Sequence, residues 1–196
     1  MLFRRPGPTI ETDRLILRLP RQSDHMEWVR LRDASRVFLE PWEPERAPDH
    51  LSRTTFNNRV RWSRQGVADG RSMPLFLFKK EDAALVGALT LDNIRRGPAQ
   101  MGTVGYWVGE RHARQGYMAE ALRAVVSYAF DTLDLSRIEA GCLTENTASR
   151  SLLESNGFVY EGVAKSYLQI AGKWRDHVLY ARLRDDRGNS SGLDRQ

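Results

Sequence analysis

The chain has 196 residues, 28% of them charged and 41% hydrophobic, a composition that suits one α/β-sized domain with a substantial core. No apolar run approaches the roughly 20 residues that a membrane helix needs, and the start "MLFRRPGPTIETDR" lacks the apolar stretch of a secretory signal. The single cysteine, Cys142, excludes an internal disulfide and fits a reducing compartment, so the expected location is cytoplasmic. The net charge of +5 suits a polyanionic companion. Nucleic acid, a ribosome surface, a phosphorylated cofactor and a merely soluble basic surface all satisfy it.

In chain order, the periods of the apolar residues alternate between those of strand and helix. "RLILRL" (14–19) reads as a strand with Leu15, Leu17 and Leu19 on one face. A capping signal at Ser23 or Asp24 opens a helix through "HMEWVRLRD". Three prolines make 38–50 an ordered loop at best, and 49–65 reads as helix. "PLFLFKK" and "ALVGALTL" are strands joined near Glu81 and Asp82, and "GTVGYWVG" (102–109) is a third. A helix over 116–131, a strand over 137–144 and a helix in "NTASRSLLESNGF", closed by Gly157, follow. Two last strands meet at a turn at Ala171-Gly172. The order implies a mixed α/β (α+β) sheet of about seven strands with about four helices, spanning residues 9–184. Residues 1–8 should be loose and 185–196 a polar tail.

The stretch "GERHARQGYMAEALRAVVSYAF" (109–130) carries the first chemical signal. Met118, Ala121, Leu122, Val125, Val126, Ala129 and Phe130 fall on one helical face, which pins the helix start to the 114–117 turn. The first amides of a helix lack partners and carry partial positive charge, and Gly116 lets a ligand approach closely. Arg111 and Arg114 add full charges, so a pyrophosphate would find donors there. A plain strand-to-helix turn with exposed arginines would use the same residues. No G-x-x-x-x-G-K followed by Ser or Thr occurs, and no G-x-G-x-x-G opens this helix, which argues against a nucleotide-binding βαβ unit.

A second signal lies one strand further on. Asn146 and Ser149, three apart on the first turn of a helix, share a face. They would serve as an N-cap and its third helical position, or as polar groups beside a bound cofactor.

Strand "GYWVG", loop "RQGYMAEAL", strand "IEAGCLTEN" and "ASRSLLESNGF" together resemble the GNAT acyl-CoA N-acetyltransferases. "FLEPWEP" and the end "EGVAKSYLQIAGKWRDHVLYA" look like the ribosomal-protein-alanine branch of the RimJ type. The common family loop has Gln or Arg, two residues, Gly, one residue, then Gly or Ala. Anchored on Gly116, this chain has Ala113 and Met118 in the outer slots. The tyrosine that many members carry seven residues after the asparagine is here Leu153, which shifts the leaving-group role to Ser149.

The resemblance implies a GNAT fold with the sheet splayed in the middle and acetyl-CoA bound as co-substrate in the splay, without a metal. Trp107, Val108, Gly109, Arg111, Arg114, Gln115, Gly116, Tyr117, Met118, Ala119 and Asn146 would hold it, with the Val108 amide facing the thioester oxygen. Ser149, Asn146 and Glu110 would be catalytic, Glu110 as the best-placed general base, with a water chain as the alternative. Phe38, Trp42, Glu43, Tyr167 and Trp174 would form the acceptor side, and Asp176 would orient the closing hairpin or an amine. Trp28 is expected in the core, and His25, His50, His112 and His177 have no metal spacing.

The implied acceptor is the α-amine of a protein N-terminus, with a ribosomal protein as candidate and no need for membrane or direct nucleic-acid binding. A free α-amine of pKa about 8 is roughly one-tenth neutral at pH 7, costing about 1.4 kcal/mol, against about 4.6 kcal/mol for a lysine side chain. Such a site needs little base strength. A small-molecule amine acetyltransferase and a non-catalytic acyl-CoA sensor are the competing readings.

Overall fold

The computed structural model describes residues 7–185, so most of the expected loose start and nearly all of the expected tail lie outside the described residues. Two short strands, β1 (Thr9–Glu11) and β2 (Leu15–Arg18), lead into α1 (His25–Ala34), α2 (Arg36–Leu39) and α3 (Arg53–Ala68). The strands β3 (Met73–Lys79), β4 (Leu85–Arg95) and β5 (Met101–Val108) precede α4 (Tyr117–Asp131), β6 (Arg137–Leu143) and α5 (Thr147–Ser155). The hairpin β7 (Val159–Ile170) and β8 (Lys173–Leu183) closes the order. All eight strands form one sheet in the order β1-β2-β3-β4-β5-β6-β8-β7. Its pairs are antiparallel except β5 with β6.

Side-chain alternation sorts the core into two layers. In β3, Leu75 and Leu77 enter a cluster with Leu122, Val125 and Val126 of α4, while Phe76 and Phe78 enter another with Trp28 of α1 and Phe56 of α3. The run "PLFLF" is apolar throughout because both of its faces are covered. The buried residues of α4 are the seven that its periodicity selects.

The expected mixed α/β sheet is present, with three differences of detail. The sheet has eight strands, not about seven, because three-residue β1 is too short to show a period; it pairs with β2, Ile10 opposite Leu17. The described residues hold five α-helices where about four were expected, because the supposed proline loop begins inside α2 and continues as a 3-10 turn over Glu40–Trp42. Pro41 sits in the first turn of that segment, where a missing N–H costs nothing. The expected 49–65 helix runs instead from Arg53 to Ala68, with the Ser52 side chain accepting from the Thr55 amide at 3.2 Å.

The feature that positions the site is a parting in the sheet. β5 and β6 pair only from Met101↔Arg137 to Val104↔Ala140. Beyond that point β5 stays paired with β4 through Val108↔Gly87, and β6 with β8 through Leu143↔His177. The facing edges of 105–108 and 141–143 therefore carry backbone groups with no strand partner.

Candidate active site

Residues 109–119 turn the chain from β5 into α4. Arg114 and Gly116 both have positive φ, +60° and +79°, and Gly116 is the N-cap of α4 in the left-handed conformation. Among the described residues, the amides of 114–119 meet no acceptor in the chain. Successive unpaired amides at a left-handed turn form a concave anion site, strengthened by the helix end.

The turn is strapped from beneath by a residue that the sequence reading missed. Arg14, just before β2, donates from Nη1 to the Gln115 carbonyl at 3.0 Å and stacks 4.6 Å from the Tyr117 ring centroid. Its Nε pairs with Glu120 Oε2 at 2.6 Å, while Thr12 Oγ1 and the Arg14 amide both donate to Glu120 Oε1. Burial pushes the Glu120 carboxyl up, but these hydrogen bonds outweigh it and hold the group below its ordinary range. A depressed carboxyl stabilises the fold above its unfolded pKa of about 4.3 and loses that effect as pH falls through the folded value. Glu120→Gln is thus expected to lower stability at pH 7 by about 1 kcal/mol, with solvent at Arg14 limiting the effect. The gap from wild type should close below about pH 4 in a series of thermal melts. A gap that persisted there would deny the carboxylate its part.

A cavity of about 720 Å³ opens between the parted edges, walled by the N-terminal turns of α4 and α5. It gathers Trp107, Val108, Arg114, Gly116, Tyr117, Met118, Ala119, Asn146 and Ser149, together with Phe38, Trp42 and Glu43. At α5 the Asn146 carbonyl oxygen accepts from the Ser149 amide at 3.0 Å, so Asn146 is the helix cap as well as a wall. Ser149 Oγ lies 2.8 Å from the hydroxyl of Tyr106, a second residue that the sequence reading missed. Burial drives the Tyr106 phenol well above its ordinary pKa, only partly offset by Ser149, so it keeps its proton. Cys142 lies in the same wall, and burial pushes its thiol up.

Six expected site residues fall elsewhere. Gly109 caps the 3-10 turn Glu110–His112, which directs Glu110 to solvent and leaves both outside the cavity lining. The Glu110 amide donates to Ser35 Oγ at 3.0 Å, which fixes the backbone of this turn. Arg111 and Gln115 brace the loop instead, Arg111 Nε donating to His112 Nε2 and Gln115 Nε2 to the Arg111 carbonyl. Trp174 is 65% exposed near the hairpin tip and lines no cavity described here. Asp176 orients the hairpin, accepting from Lys165 Nζ at 2.7 Å and from the Ser166 amide at 2.9 Å. Buried His177 does more than fill a strand: it lines the cavity, with Nδ1 3.0 Å from the Arg175 carbonyl. Among the described residues no group of His, Cys, Asp and Glu converges as a metal site.

Tyr167 belongs to a second cavity of about 710 Å³ on the side of α1 and α3. Both cavities share Gly105, Tyr106, Trp107, Ala140 and Gly141, so they meet at the parting of the sheet. Glu43 stands between them, bonded to Arg32 at 2.7 and 2.5 Å and to Arg46 at 2.9 Å. Burial pushes the Glu43 carboxyl up, yet the two guanidinium groups hold it below its usual range. It is an anion already committed to cations, not a free base.

Comparison with known proteins agrees with this geometry. Residues 14–159 match the family described as "Acetyltransferase (GNAT) domain". The chain is 34% identical over 181 residues to the ribosomal protein uS5-alanine N-acetyltransferase of Escherichia coli (strain K12), covering 92% of this chain and 93% of that one. A structure of Mycobacterium smegmatis RimJ in complex with CoA-disulfide superposes with a TM-score of 0.84 and 32% identity, covering 94% of this chain and 90% of that one. The ribosomal-protein-S5-alanine acetyltransferase of Vibrio fischeri gives a TM-score of 0.85 at 28% identity, covering 91% and 98%. With most of its length inside that family match, the chain belongs to the GNAT acetyltransferases and is an acyltransferase.

Proposed function

We propose that the enzyme transfers the acetyl group of acetyl-CoA to the α-amine of a protein N-terminus, of the kind carried by alanine-starting ribosomal proteins in the cytoplasm. The observation that carries this reading is the meeting of two cavities at unpaired strand edges, one of them headed by an anion-binding turn. The names of the similar proteins point the same way. Acetyl-CoA supplies an acetyl group activated as a thioester. The amides of 114–119 and the guanidinium of Arg114 would hold its pyrophosphate, and the free edges of β5 and β6 its amide-rich arm. The Val108 amide would face the thioester oxygen and stabilise the negative charge that develops there.

The acceptor amine would enter through the second cavity and form its new C–N bond at the parting as the C–S bond breaks. Its surplus proton leaves to water, since Glu43 is committed and Glu110 lies outside the cavity lining. Ser149 would pass its hydroxyl proton to the departing sulfur and regain a proton from the water that takes up the amine's surplus one, while Tyr106, which stays protonated, would donate to Ser149 Oγ and fix its direction.

A site without a strong base works only on an amine that is already partly neutral. An alanine-starting peptide should release thiol from acetyl-CoA and gain one acetyl group at its α-nitrogen by mass spectrometry; an N-blocked peptide should not. Its kcat/KM should fall about tenfold per pH unit below pH 8 and level off above it. Modification of lysine side chains instead, or a profile still climbing at pH 9.5, would overturn the reading. Binding of acetyl-CoA with no thiol release to any amine would favour a sensor.

A further inference from the structure

One end of the second cavity carries a cluster of positive charge that acetyl transfer does not use. Arg32, Arg46 and Arg59 all line it, with Glu43 as the carboxylate that Arg32 and Arg46 share. Around Glu43 three guanidinium groups meet one carboxylate, a local excess of two positive charges at this end of the cavity. Among the described residues, the Arg59 guanidinium makes no hydrogen bond or ion pair; it lies 5.5 Å from the Trp28 ring centroid and opens towards the cavity. The Nε of Arg32 is buried without a partner, and its guanidinium stacks 4.7 Å from the ring of Trp107, the residue at the parting of the sheet. Desolvation and repulsion from Arg46 and Arg32 work against the charge on Arg59 and Glu43 offsets only part of this, yet a guanidinium stays protonated. An incoming anion would relieve that repulsion.

The other carboxylates of this cavity do not supply it. Glu139 and Glu161 on the opposite wall are both bonded to Arg137. Asp92 accepts from the Asn93 amide. None of these carboxylates is paired with Arg59 among the described residues, so an anion brought by the molecule that fills the cavity would find this guanidinium open. For a polypeptide, that anion is an aspartate or glutamate side chain, whose planar carboxylate matches the fork of a guanidinium. An extended chain rises about 3.3 Å per residue, so a side chain within the first few residues stays inside a cavity of this size.

We infer that Arg59, with Arg46 beside it, receives an acidic side chain of the acceptor, so that the enzyme selects N-termini carrying Asp or Glu within their first few residues. This rests on the reading of the acceptor as a protein N-terminus. The enzyme selects by charge at Arg59 and performs the chemistry at Ser149, so the two can be separated by experiment.

The test uses alanine-starting peptides that differ only by Asp or Asn at the second, third or fourth position, assayed by thiol release and mass spectrometry. At one position the Asp peptide should exceed its Asn partner in kcat/KM by about tenfold at low salt, with the ratio shrinking as salt is added. Arg59→Gln should bring that ratio near one, and Arg59→Lys should retain part of it. Stabilisation of both variants by coenzyme A in thermal melts would show that they are folded. A wild-type ratio near one at all three positions, or a ratio that Arg59→Gln leaves intact, would overturn the selection while leaving acetyl transfer standing. Failure of the wild type to acetylate any peptide would overturn both.

Discussion

Replacing Ser149 by alanine is expected to lower kcat by about 100-fold, with the dissociation constant for acetyl-CoA changed less than about twofold. The Ser149 backbone amide is bound by the Asn146 side chain at 3.0 Å, which sets the first turn of α5, and its hydroxyl meets Tyr106 at 2.8 Å inside the cavity. A coenzyme A thiolate, with a pKa of about 8.5, leaves more readily as it takes up a proton, and on the proposed reading Ser149 would relay one to it from water. Burial penalises the Tyr106 phenolate and keeps this hydroxyl protonated, so on the proposed reading it would donate to Ser149 Oγ and direct it. Tyr106→Phe should cost less, about tenfold in kcat. The double variant should be no worse than Ser149→Ala alone within about twofold, since the two groups form one chain. Steady-state kinetics beside calorimetric titration with acetyl-CoA separates turnover from binding. Equal kcat in Ser149→Ala and wild type would remove the hydroxyl from the mechanism, and a parallel loss of affinity would make it a binding group.

The parts of this site legible in the sequence were those set by short-range backbone needs. α4 showed its start because seven apolar residues repeat at helical spacing, and the unpaired amides before it follow from any helix end. The Asn146–Ser149 pair was legible for the same reason: a cap and the amide it binds lie three residues apart. What stayed hidden depends on register across the sheet. Arg14 reaches Gln115 across 101 residues, and Tyr106 meets Ser149 across 43. No local period announces either contact. Tyr106 reads simply as one position of an apolar strand, and only the pairing of β5 with β6 decides which α5 residue it faces.

Glu110 failed for a related reason. It follows the central strand as expected, but it lies in a 3-10 turn over Glu110–His112, exposed and outside the cavity lining. A turn of three residues has no periodic signature. The prolines at 41 and 44 argued for a loop, yet Pro41 is tolerated at the start of a helical turn, and that turn carries Trp42 and Glu43 to the cavity. Glu43 was expected as an acceptor-side residue. Its two arginine partners, from α1 and from the segment after Pro44, make it a structural anchor at the junction of both cavities.

Gly116→Val is expected to raise the dissociation constant for acetyl-CoA by at least about tenfold. Gly116 holds φ at +79°, a conformation that costs an ordinary L-residue about 1–2 kcal/mol and a β-branched one more. A Cβ at this position would also stand 3.3 Å from Nη2 of Arg14, so the added methyl groups would press on the strap beneath the turn. The amides of 114–119 would then lose their common direction, and with it the site for the pyrophosphate. Gly116→Asn, which tolerates left-handed backbone better, should be milder. Acetyl-pantetheine isolates the cause, because it has the thioester but lacks the pyrophosphate. Its kcat/KM should change by less than about threefold in Gly116→Val, while that for acetyl-CoA falls by the full factor. If both co-substrates lose activity alike, the turn supports the fold rather than the diphosphate; if acetyl-CoA binds the variant as tightly as wild type, the anion site lies elsewhere in the cavity.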